Sequence, residues 1–321
     1  MAWKYLNPGD YRLLNNYPSS NIANYTDKAI SPVTGRAFGM EFTGNNYPIY
    51  IPDGIKEIWV VFTTFSSALN NNTSYFPRIS LFGASTLSNS QSFEIYVGAK
   101  WVFIYRNNSR VVSYTFPSGA SFLTRVWLHI KSGSSAGSAE VYLNNQQVYS
   151  ISNFNIMKGE DIKCAQLSSR YTEYALSDII FSDDPIDLDE HVAVLPIANT
   201  SAEGWTYDAV KNIYTADSAG KTIWQVPDIN QLKAVTGLDN PSVTAVAVQA
   251  YNVSTNDTSQ VDTLQKAVKQ NGQTVITDSA DISSATAVIS SAMTVNPVTN
   301  AAWTLNDLAN LQLGITTAKS A

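Results

Sequence analysis

The chain has 321 residues, of which 44% are hydrophobic and only 14% are charged, and it carries a net charge of −6 at neutral pH. This composition excludes a disordered chain, and an acidic balance without any basic run excludes a nucleic-acid binder. No apolar run approaches the roughly 20 residues of a membrane-spanning helix, and Met1–Tyr5 lacks the apolar core of a signal peptide. The sequence therefore predicts a protein made in the cytoplasm, without membrane insertion.

Composition changes abruptly near residue 185. All 12 Phe lie at or before Phe181, and the last Arg is Arg170. Residues 1–185 carry a charge of about +1 and residues 186–321 about −7, which together give the −6 of the whole chain. Between them, Ser182–Asp187 combines acids with Pro185, a residue excluded from central strands. We therefore predict two domains, residues 1–185 and residues 186–321.

The first domain consists of short runs rich in β-branched and aromatic residues. They recur every ~8–12 residues, separated by Gly, Asn, Ser or Pro, with no helical pattern of ten or more residues between them. This spacing predicts an all-β sandwich or barrel, in which Gly133–Gly137 forms a flexible hairpin loop. The predicted strands are Glu57–Phe65, Arg78–Phe82, Ser92–Val97, Lys100–Tyr105, Arg110–Phe116, Arg125–Lys131, Ala139–Leu143, Gln147–Ile151 and Tyr174–Phe181.

The second domain has fewer clear signals. Val243–Tyr251 alternates as a strand does, and Leu264–Thr277 reads as a hairpin because Asn271-Gly272 suits a type I′ turn. The apolar positions of Leu264–Lys269 also permit a helical turn. Near the end, Thr304 and Asp307 have the spacing of a capping box, which predicts a short helix through Leu311 that Gly314 stops.

Two stretches of the first domain resemble a known family. Arg125–Lys131 places Trp127 and His129 on one face, and Ala139–Asn145 follows as a strand that leads into a tight Asn-Asn turn. This pair resembles the adjacent strands of laminin-G and concanavalin A-like domains. The resemblance implies a concanavalin A-like (jelly-roll) β-sandwich over residues 1–185, followed by a smaller C-terminal β-sandwich domain.

The second domain contains five distinctive segments, which are Glu190–Pro196, Gly204–Thr206, Val243–Val248, Asn296–Thr304 and Leu311–Ile315. Together they resemble the C-terminal module of tailed-bacteriophage and prophage virion proteins. The resemblance implies a virion component such as a tail fibre, a baseplate appendage or a head decoration protein, which contacts other virion proteins. Such components are usually symmetric homo-oligomers, and a trimer is the first expectation.

No catalytic constellation is visible in the sequence. A glycosidase of this fold needs two facing carboxylates, and the acids of the strand-rich part are isolated, as expected of solvated strand faces. His129 is expected to be packed or hydrogen-bonded, His191 is distant in sequence, and Cys164 is expected to be a small buried residue. We therefore predict a protein that is not an enzyme. The isolated acids are Glu41, Glu57, Glu94, Glu140 and Glu173.

Two kinds of binding site remain as candidates. Exposed aromatic side chains could stack on host cell-surface glycans, although most aromatic residues of a sandwich belong to its core. The glycan candidates are Tyr75, Trp101, Tyr105, Arg106, Asn107 and Tyr171. Calcium is possible at the acid cluster formed by Asp183, Asp184 and Asp187, but the cluster lacks the spacing of a calcium loop and favours a solvated linker.

The leading hypothesis is a non-enzymatic phage virion protein, a tail fibre or appendage with a glycan-binding sandwich. One alternative is a capsid or tail decoration protein that only packs on its neighbours. A further alternative is a glycan-cleaving enzyme. The sequence leaves the position on the particle, the glycan and the symmetry open.

Overall fold

The structure is a computed structural model that describes residues 4–7, 22–25, 39–42, 46–66, 77–83, 91–117, 123–168, 174–211, 213–248, 250–253, 255–282, 287–289 and 292–320. The chain divides into two compact units, residues 2–192 and residues 193–321. Among the described residues, no helix is long and apolar enough to cross a membrane.

The described part of the first unit is almost entirely β-strand. A short 3-10 helix, Met157–Gly159, lies between two of its strands. The strands are β1 (Lys4–Asn7), β2 (Ile22–Tyr25), β3 (Gly39–Phe42), β4 (Asn46–Ile55), β5 (Glu57–Ser66), β6 (Arg78–Phe82), β7 (Ser92–Val97), β8 (Trp101–Arg106), β9 (Ser109–Thr115), β10 (Leu123–Lys131), β11 (Gly133–Leu143), β12 (Gln146–Ile156), β13 (Ile162–Ser168) and β14 (Tyr174–Ser182).

These strands form two antiparallel sheets. The eight-stranded sheet has the order β12-β11-β10-β5-β14-β3-β2, with β1 also paired to β14, and the six-stranded sheet has the order β4-β13-β6-β7-β8-β9. Val60 and Phe62 of β5 and Leu128 of β10 share one buried cluster with Ile79 of β6 and Ile95 of β7. The two sheets therefore pack face to face, and the predicted all-β sandwich is confirmed.

Five described strands of the first unit escaped the sequence analysis, namely β1, β2, β3, β4 and β13. Strand β4 contains Pro48 and Pro52, which argue against a strand, yet β4 lies at the edge of the six-stranded sheet, where a missing N–H is tolerated. Strand β13 reads Ile-Lys-Cys-Ala-Gln-Leu-Ser and has polar residues on one side only. Its outward side is part of the candidate site described below.

The predicted hairpin loop at Gly133–Gly137 is wrong, because these residues begin strand β11. Gly137 pairs with Phe154 of β12, and a Cβ at Gly137 would lie 2.8 Å from the Phe154 carbonyl oxygen. The glycine therefore permits a close approach of two strands and does not loosen a loop. The tight turn predicted at Asn144-Asn145 is confirmed, since both residues have positive φ angles of 46° and 68°.

After β14 the chain continues across the outer face of the eight-stranded sheet. Ile186 and Val192 are buried against Val61 and Ile180, and the Trp127 indole N–H donates to the Ile186 carbonyl oxygen at 2.8 Å. These contacts are the reason that residues 186–192 belong to the first unit. The division between the units consequently lies after Val192, downstream of the compositional change at residue 185.

The second unit is built around a five-stranded antiparallel sheet with the order β15-β18-β27-β21-β22, and four two-stranded ribbons accompany it among the described residues. Its strands are β15 (Ile197–Glu203), β16 (Thr206–Asp208), β17 (Ile213–Thr215), β18 (Thr222–Pro227), β19 (Val246–Ala247), β20 (Ala250–Val253), β21 (Thr263–Gln270), β22 (Gln273–Asp281), β23 (Ala287–Ile289), β24 (Ala292–Met293), β25 (Val295–Asn296), β26 (Ala301–Ala302) and β27 (Gln312–Ala318). The helices are α1 (Leu232–Thr236), α2 (Leu305–Ala309) and a 3-10 turn, Ile229–Gln231.

The sequence predictions for the second unit have mixed outcomes. The hairpin is confirmed, because β21 and β22 pair around Asn271-Gly272, whose φ angles are 50° and 81°. The capping box of Thr304 and Asp307 is confirmed, but helix α2 ends at Ala309. The long strand predicted over Val243–Tyr251 is wrong: only β19 and the start of β20 fall within it, and residue 249 lies outside the described residues.

Gly314 does not stop the helix; it lies inside strand β27. A Cβ at this position would stand 2.6 Å from an atom of the Trp224 ring, so only glycine leaves room for that indole. The neighbouring motif residues also serve packing. The buried Trp303 donates its indole N–H to the Met293 carbonyl oxygen at 2.7 Å, and the buried Asn296 donates to Gln270 at 2.9 Å. The most specific sequence of the second unit therefore encodes its own core.

Candidate functional site

The outward face of the six-stranded sheet, here called the polar face, carries the candidate binding side chains of the first unit. Directly paired residues of antiparallel strands lie on the same side of a sheet, so the register defines this face. One row across it is Ser168, Arg78, Tyr96, Phe103 and Ser113, and the next is Gln166, Ser80, Glu94, Tyr105 and Arg110. The residues between them in sequence, such as Ile79 and Ile95, point into the core.

Glu94 lies at the centre of the polar face and is only 3% exposed. Its carboxylate accepts hydrogen bonds from the Ser92 hydroxyl at 3.0 Å, the Ser80 hydroxyl at 3.3 Å and the Tyr96 hydroxyl at 3.0 Å. The Arg78 guanidinium lies 3.6 Å away and compensates its charge. The interpretation of Glu94 as a solvated strand acid is therefore wrong.

Arg78 is fixed from three sides. Its Nε donates to the Ser168 hydroxyl at 2.9 Å, Nη1 donates to the Tyr96 hydroxyl at 3.0 Å, and Nη2 donates to the Gln166 side-chain oxygen at 3.3 Å. Tyr96 thus accepts from Arg78 and donates to Glu94. Burial raises the pKa of Tyr96 above its usual value, Arg78 opposes that shift and Glu94 adds to it, so the hydroxyl stays neutral at physiological pH.

Aromatic rings stand beside this network. The rings of Tyr96 and Tyr105 are 5.0 Å apart and tilted by 56°, and Phe103 packs among Tyr96, Trp101 and Tyr105. Trp101 and Tyr105 remain partly exposed. Fixed hydrogen-bonding groups beside open aromatic surface form a pattern suited to a ligand with both hydroxyl groups and apolar C–H faces.

The structure separates the predicted glycan candidates. Trp101 and Tyr105 lie on the polar face. Arg106 pairs with the core-facing Phe93, and its guanidinium carbon lies 3.8 Å from the centre of the Phe154 ring. Asn107 also contacts strand β12, where its side-chain amide donates to Asn155 at 3.4 Å. Arg106 and Asn107 therefore do not share the polar face with Tyr105. The candidates Tyr75 and Tyr171 lie outside the described residues.

The main components of the polar face escaped the sequence analysis. Arg78, Glu94, Tyr96, Gln166 and Ser168 sit at alternate positions of β6, β7 and β13, between buried apolar residues. That alternation was the available signal, because polar residues at every second position of buried strands mark an outward face. It does not show which strands are neighbours, and the pairing of β13 with β6 joins segments almost 90 residues apart.

The other titratable candidates have structural roles. His129 pairs with Glu57 at 2.8 Å and stacks on Trp59, with ring centres 4.5 Å apart, so it is packed and hydrogen-bonded as expected. Burial raises the pKa of the Cys164 thiol to about 11, which keeps this fully buried side chain protonated. Such a thiol is unsuited to nucleophilic attack. Glu173 and the Glu41 side chain lie outside the described part of the chain.

The acid cluster at the domain boundary gives no sign of a metal centre. Among the described residues, no group of three or more His, Cys, Asp or Glu side chains is arranged to hold a metal ion. Asp183, Asp184 and Asp187 are all described, and Asp184 instead donates its backbone N–H to the Ser182 hydroxyl at 3.1 Å. These aspartates are therefore not gathered as calcium ligands.

A cavity of about 360 Å³ lies in the second unit. It contains no titratable side chain, and the indole N–H of Trp303 in its wall already donates to Met293. The cavity offers no arrangement of fixed polar groups comparable to the polar face. Its lining residues are Pro241, Ser242, Val243, Trp303, Thr304, Leu305 and Asn306.

No family model matches the chain, and no curated protein is similar to it in sequence. Among solved structures, it is similar to alginate lyase Aly36B with 14% identity and a TM-score of 0.37, over 57% of this chain and 98% of the lyase. A human galectin-16 variant matches with 13% identity and a TM-score of 0.28, over 44% of this chain and 95% of the galectin. The carbohydrate-binding module CBM66 from Bacillus subtilis matches with 10% identity and a TM-score of 0.31, over 50% of this chain and 93% of the module. Likeness at this level says nothing about the ligand of the present chain.

Proposed function

We propose that the first unit is a non-catalytic glycan-binding module and that the polar face is its binding surface. The observation that carries the proposal is the Arg78–Glu94–Tyr96 network, held in place beside the partly exposed rings of Trp101 and Tyr105. Sugars present hydroxyl groups along their edges and C–H groups on their faces. A surface with oriented polar groups next to aromatic rings is complementary to both.

Preorganisation is the physical advantage of this arrangement. Arg78 and the buried Glu94 hold the Tyr96 hydroxyl in a fixed position, so a ligand would not need to order this partly exposed side chain on binding. Ordering a side chain costs about 0.5–1.5 kcal/mol, which a preformed surface avoids. Tyr96 belongs to this network through its neutral hydroxyl group, and its side chain is partly exposed.

Glu94 is poorly suited to glycoside hydrolysis. Its two oxygens are occupied by three hydroxyl donors, and Arg78 stabilises its charged form. A hydrolase needs a second carboxylate about 5–9.5 Å away across the substrate. Glu57 belongs to the other sheet, where His129 and Lys131 bind it. These observations support binding without cleavage.

The experiment is a glycan-array screen of the full chain, followed by titration of any bound glycan. Tyr105→Ala and Trp101→Ala should each weaken binding about tenfold, since an aromatic contact contributes about 0.5–1.5 kcal/mol. Phe154→Ala is the matched control, because this 43% exposed aromatic residue belongs to the eight-stranded sheet. A blank array, or equal losses from Phe154→Ala, would refute the proposal. New reducing ends during incubation would instead establish a glycan-cleaving enzyme.

We further propose that the chain is a virion protein of a tailed phage or prophage, in which the second unit docks or oligomerises. The support is the resemblance of residues 296–315, whose Trp303 and Gly314 are core residues of a folded β unit. Locating the protein in electron micrographs of purified particles tests this. A position at a tail tip favours a fibre or appendage, and a position on the head or shaft with a blank glycan array favours a decoration protein. Absence from particles, or a strict monomer at high concentration, contradicts the virion proposal.

A further inference from the structure

We infer that the polar face selects anionic polysaccharides over neutral ones, through Arg110 of β9 and Lys100 before β8. This inference rests on the proposed glycan-binding function and adds the chemical class of the ligand. It depends on which charged side chains of the polar face already have a counter-charge.

The central charges of the polar face cancel. Glu94 and Arg78 form an ion pair at 3.6 Å, and each is also held by neutral hydrogen-bonding side chains. The buried centre of the face therefore carries no net charge. Selection for or against charged sugars must come from the other ionisable groups of this face.

The remaining charges on the described part of the face are two cations. The Arg110 guanidinium carbon lies 5.5 Å from the centre of the Phe103 ring, and Lys100 Nζ lies 5.0 Å from the centre of the Trp101 ring. Arg110 is exposed and Lys100 is partly exposed. Within the described ranges, neither cation has a carboxylate within ion-pair distance, in contrast to Arg78, Lys131 and Arg125 on the same unit.

The position of these cations over aromatic rings makes them suitable for sugar acids. A cation–π contact holds the side chain on the face, and it leaves the charge free to attract an anion. The partly exposed Trp101 ring beside Lys100 offers apolar surface to the C–H groups of the same sugar, whereas the Phe103 ring beside Arg110 is buried. Two separate cations on one face fit a polymer with repeated acidic units. A neutral polymer would gain nothing from the two charges.

The shared ligand chemistry is an anionic group on a sugar chain, and carboxylates and sulfates both fit it. The guanidinium of Arg110 can bind either in a bidentate manner, whereas Lys100 acts as a point charge. Two matched pairs of polymers distinguish a carboxylate ligand from a sulfate ligand. Polygalacturonate is compared with its fully methyl-esterified form, which has the same backbone without charge, and dextran sulfate is compared with dextran.

The experiment measures binding of the full chain to these four polymers by biolayer interferometry, at low and at high sodium chloride. We expect binding to at least one charged polymer, at least tenfold weaker binding to its neutral form, and a loss of binding as salt screens the charges. The double substitution Arg110→Gln with Lys100→Gln should weaken binding to the charged polymer about tenfold. Lys131→Gln, which removes a cation from the opposite sheet, should leave it unchanged.

Each outcome separates this inference from the proposed function. Equal binding to charged and neutral polymers, reduced by Tyr105→Ala but not by the double substitution, overturns the anionic selectivity and leaves glycan binding intact. Equal losses from Lys131→Gln and from the double substitution show attraction by overall charge, which also overturns the inference. If none of the polymers binds and the glycan array is blank, both proposals fail. Circular dichroism and thermal melting of each variant establish that it is folded.

Discussion

The first unit contains two buried Arg–carboxylate pairs whose surroundings differ. Arg78 and Glu94 lie on the polar face, and their described partners are side chains of the same sheet. Arg125 and Asp178 lie at 2.7 Å on the outer face of the other sheet, where Thr63 of β5 and the chain segment 186–192 supply further partners. The first pair shapes a surface beside open aromatic rings, and the second fastens a piece of the chain to the sandwich.

The difference shows why a buried ion pair alone does not identify a binding site. Asp178 accepts from the Val192 backbone N–H at 2.6 Å and pairs with His191, while Arg125 donates to the Glu190 carbonyl oxygen. Backbone partners of this kind fix a segment permanently. The hydroxyl partners of Glu94 are side chains of the same sheet, so they fasten no other segment of the chain. The nature of the partners thus separates a structural pair from one that supports a site.

The largest expected effect comes from breaking the structural pair. Arg125→Met leaves the Asp178 carboxylate, which is 2% exposed, without its main counter-charge. Removing one partner of a buried ion pair costs about 3–5 kcal/mol, so the free energy of unfolding should fall by that amount. Urea denaturation measures the loss. Lys131→Met, at the exposed end of the same strand β10, is the control and should change it by less than about 0.5 kcal/mol.

A loss below about 1 kcal/mol for Arg125→Met would show that segment 186–192 does not depend on this pair. Limited proteolysis gives an independent readout. The variant should be cleaved in residues 186–192 faster than the wild type, because the Glu190 carbonyl oxygen and the Asp178 carboxylate both lose a donor. Unchanged cleavage would contradict the fastening role.

The corresponding substitution on the polar face should affect stability less and binding more. Arg78→Met leaves Glu94 with its three hydroxyl donors, so the expected loss in the free energy of unfolding is about 1–2 kcal/mol. Glycan binding should fall at least tenfold, because Gln166, Ser168 and Tyr96 lose the group that orients them. Arg125→Met, measured on protein that remains folded, should bind glycan as the wild type does. Equal binding losses in both variants would erase the distinction between the pairs.

These two pairs also show what the sequence could and could not predict. Strand periodicity identified β5 to β12 and β14, and the turn residues located the hairpins at Asn144-Asn145 and Asn271-Gly272. The partners of Arg78 lie on β7 and β13, and those of Arg125 lie on β5, on β14 and in segment 186–192. Such contacts depend on which distant strands pair, and local alternation carries no information about that. Glu94 therefore looked like an isolated acid, and Arg106 looked like a neighbour of Tyr105.

The smallest expected effect concerns pH and the hydroxyl group that joins Arg78 to Glu94. The pKa of Tyr96 is raised in the folded protein, chiefly by burial, so folding favours the protonated hydroxyl. The resulting stabilisation is fully present below the pKa of an unfolded tyrosine, about 10, and is lost as pH rises through the higher pKa of the folded state.

The variant Tyr96→Phe has no hydroxyl proton to lose. The difference in unfolding free energy between wild type and Tyr96→Phe should therefore stay constant from pH 7 to 9 and shift against the wild type above about pH 10. Urea denaturation of both proteins at each pH measures this difference, and other titrating groups cancel in it. A difference that stays constant up to about pH 11 would show that Tyr96 is not held between the two charges as the geometry indicates.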